Sequence, residues 1–441
     1  MATEGSEVSN AFDFSKIKEA VDALYDFRDH FFERNSIDRA VHKAEEVRQE
    51  LQKTLSIFDG IDDNIDASSK ALVLLQKGRA WNILPNFSQE ALDALSRAVK
   101  LDPQMVEAWN NLGETYWKKN DVNSAKNCFE GALNYQNNKV SLRNLSMVLR
   151  QLGSDEMEKA KNLQESVEHA KKAVSLDMND GTSWFIAGNA YLSMFFMTGQ
   201  KPGMLKQCHG AYAQAERDVI AKSNPDLHFN KATIFKFQEE YEMSLDGFKK
   251  AKALDPVWEE PDQKRAELLS YLCRITELTK AKGKLKAKRL QQLMSSFKEN
   301  DLGPYSGGSY TSPNGQTVKL EPCVLSRLQE GINSEKVVVG KVVCSIATEE
   351  LIPFTFAIVD SEGSCYSVNV YNIAQGQGVI IGDTVAIPEP YLHRIDFTVD
   401  DKHIEFSSLR VNTPVALVVN GKKLGIDKQA PAMLSVSAKS D

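Results

Sequence analysis

Residues 106–137, VEAWNNLGETYWKKNDVNSAKNCFEGALNYQN, decide how the rest of the chain is read. Trp109, Leu112, Gly113 and Tyr116 stand at i, i+3, i+4 and i+7, the spacing of one helix face. KNDVNS interrupts that face, and Ala125, Phe129 and Ala132 then stand at i, i+4 and i+7 on a second helix. Small residues sit where two helices must approach closely, and aromatics sit where a gap must be filled. The stretch therefore predicts an antiparallel helix pair.

The same phase recurs on both sides. Leu74, Gly78 and Trp81 precede Ala91, Leu95 and Ala98. Leu142, Leu145 and Leu149 open a pair that ends with Ala170 and Ala173 after a longer loop around Gly153. Trp184, Gly188 and Tyr191 open another with Tyr212 and Ala215, and Ala232 and Phe235 precede Phe248 and Ala251. A period of about 34 residues with these markers is that of the tetratricopeptide repeat. The predicted fold is multidomain α + β: a right-handed α-solenoid of such pairs, then a small OB-fold β-barrel. Residues 1–60 read as a divergent N-terminal helix pair, with Ala40, Ala44 and Val47 on its second helix. Residues 68–261 read as repeats and 262–297 as capping helices, which a solenoid needs because each repeat buries its apolar face only on a neighbour. Residues 298–317 read as a linker, 318–426 as the OB-fold domain and 427–441 as a disordered tail.

The barrel is predicted from a change of period. Beyond the Gly/Ser/Pro-rich stretch 298–316, KVVVGKVVCSIA (336–347), PFTFAIVDSEGSCYSVNVYN (353–372), DTVAIPEPYL (383–392), HIEFSSLRV (403–411) and ALVVNGKKL (416–424) read as strands. Asp360–Gly363 reads as a hairpin turn, and Gly340 as the bend that lets the first strand serve both ends of a barrel. From 318 to 425 nine Lys/Arg face thirteen Asp/Glu. That balance argues against strong nucleic-acid binding and leaves at most a weak DNA or chromatin contact. Phe354, Phe356, Tyr366 and Tyr371 read as core.

Composition bounds the rest. The chain has 441 residues, 42% hydrophobic and 26% charged, with a net charge of −7. This is an ordinary globular balance with no global attraction for polyanions. The N-terminus lacks a signal-peptide pattern, and no apolar run is long enough to span a membrane, so no membrane partner is expected. The six cysteines lack CxxC spacing and read as reduced, buried thiols. Walker, GxSxG and HExxH motifs are absent. The expectation is a non-enzymatic protein without metal or cofactor.

If the repeat is right, the first helix of each pair lines a concave groove. Offsets from each marker place Asn111, Asn144, Asn189 and Asn230 there, a series of amides able to hold a peptide backbone without reading its sequence. Arg143 and Arg150 would pair a peptide carboxylate. Asp226 and Glu260 would hold a basic side chain or an amino terminus. Phe185, Phe229 and Met147 would take an apolar anchor. The plainer alternative is a solvated polar face. Thr279–Leu290, TKAKGKLKAKRL, is a basic ridge in an acidic chain. Its Lys284, Lys286, Lys288 and Arg289 read as a phosphate or import contact, or as a solvated helix end.

The stretch IGDTVAIPEPYLHRI, with PFTFAIVDSEG before it and LVVNGK after it, resembles the tetratricopeptide repeat protein 5 (Strap) family over nearly the whole chain. The resemblance implies an adaptor of nucleus and cytoplasm with two settings. One is stress- and DNA-damage-responsive scaffolding of an acetyltransferase coactivator complex that supports the tumour-suppressor transcription factor. The other is recognition of nascent tubulin N-termini on ribosomes, leading to tubulin mRNA decay. On that implication Asp226 and Glu260 hold the basic residue and the amino terminus, Arg150 holds the acidic residue, and the ridge faces ribosomal RNA. The lysine–asparagine–arginine clamp of chaperone-binding repeats is not reproduced, since Leu75, Arg79 and Val140 stand in its place. A nucleic-acid-associated cofactor and an oligomeric scaffold are the competing readings.

Overall fold

The computed structural model describes residues 14–430 except 60, 62–64, 198–201, 308, 312–314, 316, 348–352 and 375. The start of the expected N-terminal pair and the tail beyond 430 lie outside the described residues. The chain forms two compact units. One runs to Lys231 and includes Lys250–Glu259; the other joins Ala232–Lys249 to Glu260–Met433.

The helices are α1 (Phe14–Asp29), α2 (Phe31–Arg34), α3 (Ala40–Leu55), α4 (Ala67–Trp81), α5 (Gln89–Leu101), α6 (Val106–Lys118), α7 (Val122–Tyr135) and α8 (Lys139–Leu149). They continue with α9 (Glu156–Leu176), α10 (Gly181–Met197), α11 (Pro202–Ala215), α12 (Val219–Lys222), α13 (Pro225–Gln238), α14 (Tyr241–Leu254), α15 (Glu260–Lys280) and α16 (Ala287–Met294). Their starts are written in short polar side chains. Asp66, Ser88, Asp121, Asn138 and Asp155 each accept a backbone N–H from the first turn of the following helix. Their ends recur too. Asp102, Asp177 and Asp255 follow a helix-terminal leucine, and each accepts the N–H two residues on, at 3.0, 3.0 and 3.2 Å. The marker tryptophans reach back to the same loops: Trp109 donates to Pro103 O and Trp184 to Met178 O, both at 2.8 Å.

The pairs close on one device. A Cβ built on Gly78 would lie 2.4 Å from Leu95, on Gly113 2.6 Å from Phe129, and on Gly188 2.3 Å from Tyr212. In each pair a glycine on the first helix receives a large side chain of the second. Phe129 is fully buried and has no room to yield. Gly113→Ala should therefore destabilise the first unit by roughly 1–3 kcal/mol through overpacking, even though alanine favours a helix. Thermal melts of the two proteins check this, and an unchanged or raised melting temperature would refute it.

Two local expectations differ. The linker before α9 is short, and α9 itself is 21 residues long. Asp155 caps it, and MEKAKNLQES supplies good helix formers where a longer loop around Gly153 was expected. Ala40, Ala44 and Val47 all lie on α3 as expected, the first and last buried and Ala44 exposed. The stretch read as a linker is folded. Glu299–Tyr305 is a 3-10 turn, Tyr305 is buried and donates to Ala416 O at 2.8 Å, and β1 (Ser309–Thr311) pairs antiparallel with β2 (Thr317–Lys319). Gly303, at φ +53°, is what lets this turn lie against the Gly421 carbonyl.

The second unit carries β3 (Glu321–Cys323), β4 (Gly331–Ile332), β5 (Lys336–Ile346), β6 (Phe354–Val359), β7 (Cys365–Val370), β8 (Thr384–Pro388), β9 (Tyr391–Val399), β10 (Lys402–Val411), β11 (Val418–Val419) and β12 (Lys422–Lys423). β5 pairs antiparallel with β6, β6 with β7, and β10 with β9, while β7 and β10 run parallel. β8 pairs with β5 and is separated from β9 only by Glu389 and Pro390. Pairing therefore returns to β5 through one strand bent where proline cannot donate, which is the five-strand order of an OB fold. Leu325, Val342, Phe356, Val368, Val385 and Leu409 are among the residues filling its core. Phe356 and Tyr371 are buried, and Phe354 and Tyr366 pack against that core.

Gly340 has a different role from the one its place in the strand suggests. The irregularity of β5 lies between Val342 and Cys344. A Cβ on Gly340 would stand 2.7 Å from the Ile358 Cβ, so close approach of β6 excludes a side chain there. The turn at Asp360 is as expected: Gly363, at φ +87°, donates to Asp360 O at 3.2 Å. β9 runs on past the expected strand end at 392, and the Asp400–Asp401 turn, with φ of +47° and +59°, joins it to β10.

Candidate peptide-binding groove

Four of the first helices, α6, α8, α10 and α13, carry the expected groove residues. The amides divide into different states. Asn111 donates to Glu107 O at 2.9 Å on its own helix. Asn189 is nearly buried, and its Oδ1 accepts both the Tyr212 hydroxyl at 2.5 Å and Asn230 Nδ2 at 3.0 Å. Asn144 is half-buried. A linked chain of Asn189, Tyr212 and Asn230 across α10, α11 and α13 therefore stands where an open ladder of amides was expected.

The aromatics are also committed. Phe185 and Phe229 are buried; Phe185 lies 6.3 Å from the Tyr212 ring, and Phe229 packs 4.7 Å from Trp258. Neither presents a surface to an incoming apolar anchor. Offset counting puts them on the groove face but does not see the aromatic that packs over them. Met147 is half-buried and packs beside the cluster of Trp117, Phe129 and Leu145.

The two arginines of α8 behave differently. Arg143 Nη1 lies 2.7 Å from Asp180 Oδ2, so its charge is already answered. The same holds along this unit: Arg28 pairs with Asp29, Arg79 with Asp22 and Glu107, Lys118 with Glu114, and Lys139 with Asp177. Arg150, at the C-cap of α8, has no carboxylate partner among the described residues. Its Nη1 donates only to Ile186 O, at 3.2 Å. Burial pulls it down to about 10, which leaves it cationic at neutral pH. Asp226, in the first turn of α13, acts on the same buried Tyr212 phenol as Arg150, with opposite sign. The Tyr212 phenol thus feels both charges. Glu260 opens α15 in the second unit and is half-buried.

Sequence reasoning missed where α1 packs. Positions of α4 that correspond to the groove are covered by it: Tyr25 donates to Arg79 O at 3.0 Å, Arg28 to Ile83 O at 3.3 Å, and Asp22 pairs with Arg79 at 3.0 Å. Gln76 and Asn82 are buried as a result. Helical periodicity shows that 14–29 is a helix but carries no signal for the groove it enters.

The basic ridge divides as well. Lys280 pairs with Glu405 at 3.1 Å and Lys284 with Glu277 at 2.6 Å. Lys286, Lys288 and Arg289 are exposed and have no acid partner among the described residues.

Comparison with known proteins follows this geometry. The family described as "Tetratricopeptide repeat protein 5 OB fold domain" matches residues 319–433. Repeat families match 89–120 and 106–139. Tetratricopeptide repeat protein 5 of Homo sapiens is 51% identical over 99% of this chain and 98% of its own. That of Mus musculus is 50% identical over the same shares. The chain belongs to the tetratricopeptide repeat protein 5 family.

For a member of this family the repeats make a protein-binding adaptor or scaffold. The six cysteines are free, and burial pushes Cys208 and Cys365 up to about 12, so neither is a nucleophile at neutral pH. Among the described residues, no group of three His, Cys, Asp or Glu could hold a metal, and no helix is long and apolar enough to cross a membrane.

Proposed function

We propose that this chain is a non-enzymatic adaptor whose groove reads a short peptide carrying both charge signs, with Arg150 taking a carboxylate and Asp226 a basic group. The observation that carries this reading is Arg150: a partly buried guanidinium without a carboxylate partner among the described residues, on the same helix as Arg143, whose charge Asp180 answers. A desolvated cation left unanswered is a site that gains most from an incoming carboxylate. A tubulin N-terminus, methionine followed by a basic and an acidic residue, has that chemistry. Recognition of nascent tubulin on ribosomes, leading to decay of its mRNA, is the setting we favour, with Lys286, Lys288 and Arg289 facing ribosomal RNA. Scaffolding of an acetyltransferase coactivator complex would use the same groove for another peptide, and the two settings place the protein in cytoplasm and nucleus.

Fluorescence anisotropy of a labelled peptide beginning with methionine, a basic and an acidic residue tests the reading. The full chain is required, because part of α13 and α14 belongs to the compact unit of the sheet. Saturable binding, lost when the acidic residue becomes serine, is expected. Absence of saturable binding by the folded protein, or indifference to the acidic residue, would overturn it.

A further inference from the structure

The turn after β7 displays two isoleucines. Ile380 is 74% and Ile381 51% exposed, next to a buried Val379. Slack chain does not explain this. Asp383 Oδ2 accepts the Ile380 N–H at 2.9 Å, and Asp383 N–H donates to Ile380 O at 3.1 Å. Asp383 Oδ1 accepts Asn420 Nδ2 at 2.8 Å. Gly382 N–H and Asp383 O both bond to Val342, each at 2.9 Å. The turn is fixed on β5 with its apolar side chains outward.

Arg289 lies over this turn. A Cβ built on Gly382 would stand 3.7 Å from its guanidinium and 4.0 Å from Leu293. Lys286 is one helical turn from Arg289 on the same face, and Lys288 adjoins it. None of the three has an acid partner among the described residues. A rigid apolar tip thus sits beside three unanswered cations, in a chain whose net charge is −7.

We propose that α16 and the Ile380–Asp383 turn form a second docking face, for an acidic partner-protein segment bearing apolar side chains. Two features select that partner. The free cations call for anionic groups. The isoleucines call for apolar burial ringed by charge, as at a protein interface; phosphate contacts to a nucleic-acid backbone would leave them unused. The face is separate from the groove and shares the free cations with the ribosomal-RNA contact proposed above; the isoleucines tell the two ligands apart.

The test uses the full-length protein and three labelled probes. These are a short peptide of aspartate, glutamate and leucine with the leucines on one helix face, the same peptide with serine for leucine, and oligouridylate. The first is expected to bind saturably and at least about tenfold more tightly than the serine peptide. Ile380→Ser with Ile381→Ser should remove that advantage and leave oligouridylate binding unchanged, whereas Lys288→Glu with Arg289→Glu should weaken both. Both isoleucines are exposed, so the variant should melt as the parent; Ile380→Ser alone serves if the double variant does not fold. Equal binding of leucine and serine peptides would overturn the proposal. So would no binding of the leucine peptide, or indifference to the isoleucine substitutions with oligouridylate still bound, which would make the face a surface for RNA alone.

Discussion

Arg150→Gln should weaken the full-length protein's binding of the methionine–basic–acidic peptide by about tenfold to a hundredfold, with little change in melting temperature. The free protein uses this guanidinium for one hydrogen bond, to Ile186 O. Losing it costs about 1 kcal/mol at most, and glutamine restores part of it. With a peptide carboxylate in place, the same group would make a charge-assisted bond worth roughly 1.5–3 kcal/mol, and that is the loss expected in affinity. Arg150→Lys should fall between, because it keeps the charge but not the planar fork. Arg143→Gln is the internal control. It breaks the pair with Asp180, leaves that half-buried carboxylate without its closest cation, and should lower the melting temperature more than it lowers affinity. If Arg150→Gln binds as the parent does, the acidic contact lies elsewhere.

That contrast between two arginines of one helix was not legible in the sequence. Arg143 and Arg150 are seven residues apart on one face. The acid that answers the first, Asp180, lies in the next repeat. What the sequence does carry is whatever is settled within a repeat: the glycine that receives a ring, the aspartate that caps a start, the tryptophan that reaches back to its own loop. The groove is settled between repeats. Asn189 and Asn230 therefore joined a chain through Tyr212, and Phe185 and Phe229 became packing. In the barrel, β9 was cut short because Asp400 and Asp401 make their turn without glycine. The bend at Pro390 was present in PEP but gave no sign that one strand would pair on two sides.

Least visible of all was Glu239. It follows α13 at φ +68°, an unusual conformation for a glutamate, and its side chain is fully buried. It accepts the Tyr371 hydroxyl at 3.0 Å and meets Arg410 at 3.4 Å and His393 at 3.5 Å. Arg410 also donates to Phe237 O at 2.7 Å and lies over the Tyr371 ring at 3.9 Å. Beside it Tyr271 bonds Thr355 and Asn369, and Asn369 bonds Tyr241 and Ser408. This polar network ties the end of α13, the start of α14 and the middle of α15 to β6, β7, β9 and β10. Glu239→Ala leaves Arg410 and His393 without their anion, and should cost the second unit about 3–5 kcal/mol. Burial pushes the Glu239 carboxyl up, but His393 and Arg410 bring it below its usual range, while Glu239 raises His393. The Glu239 contribution is present above the ordinary 4.5 of a glutamate and is lost as pH falls through its lowered value. The His393 contribution is present below the ordinary 6.5 of a histidine and is lost as pH rises through its raised value. Melts of the parent should therefore decline as pH rises above the ordinary 6.5 of a histidine, and His393→Gln should flatten that decline. A Glu239→Ala protein that melts with the parent at every pH would mean that packing alone, through Phe237, Tyr241 and Tyr371, holds these helices on the sheet.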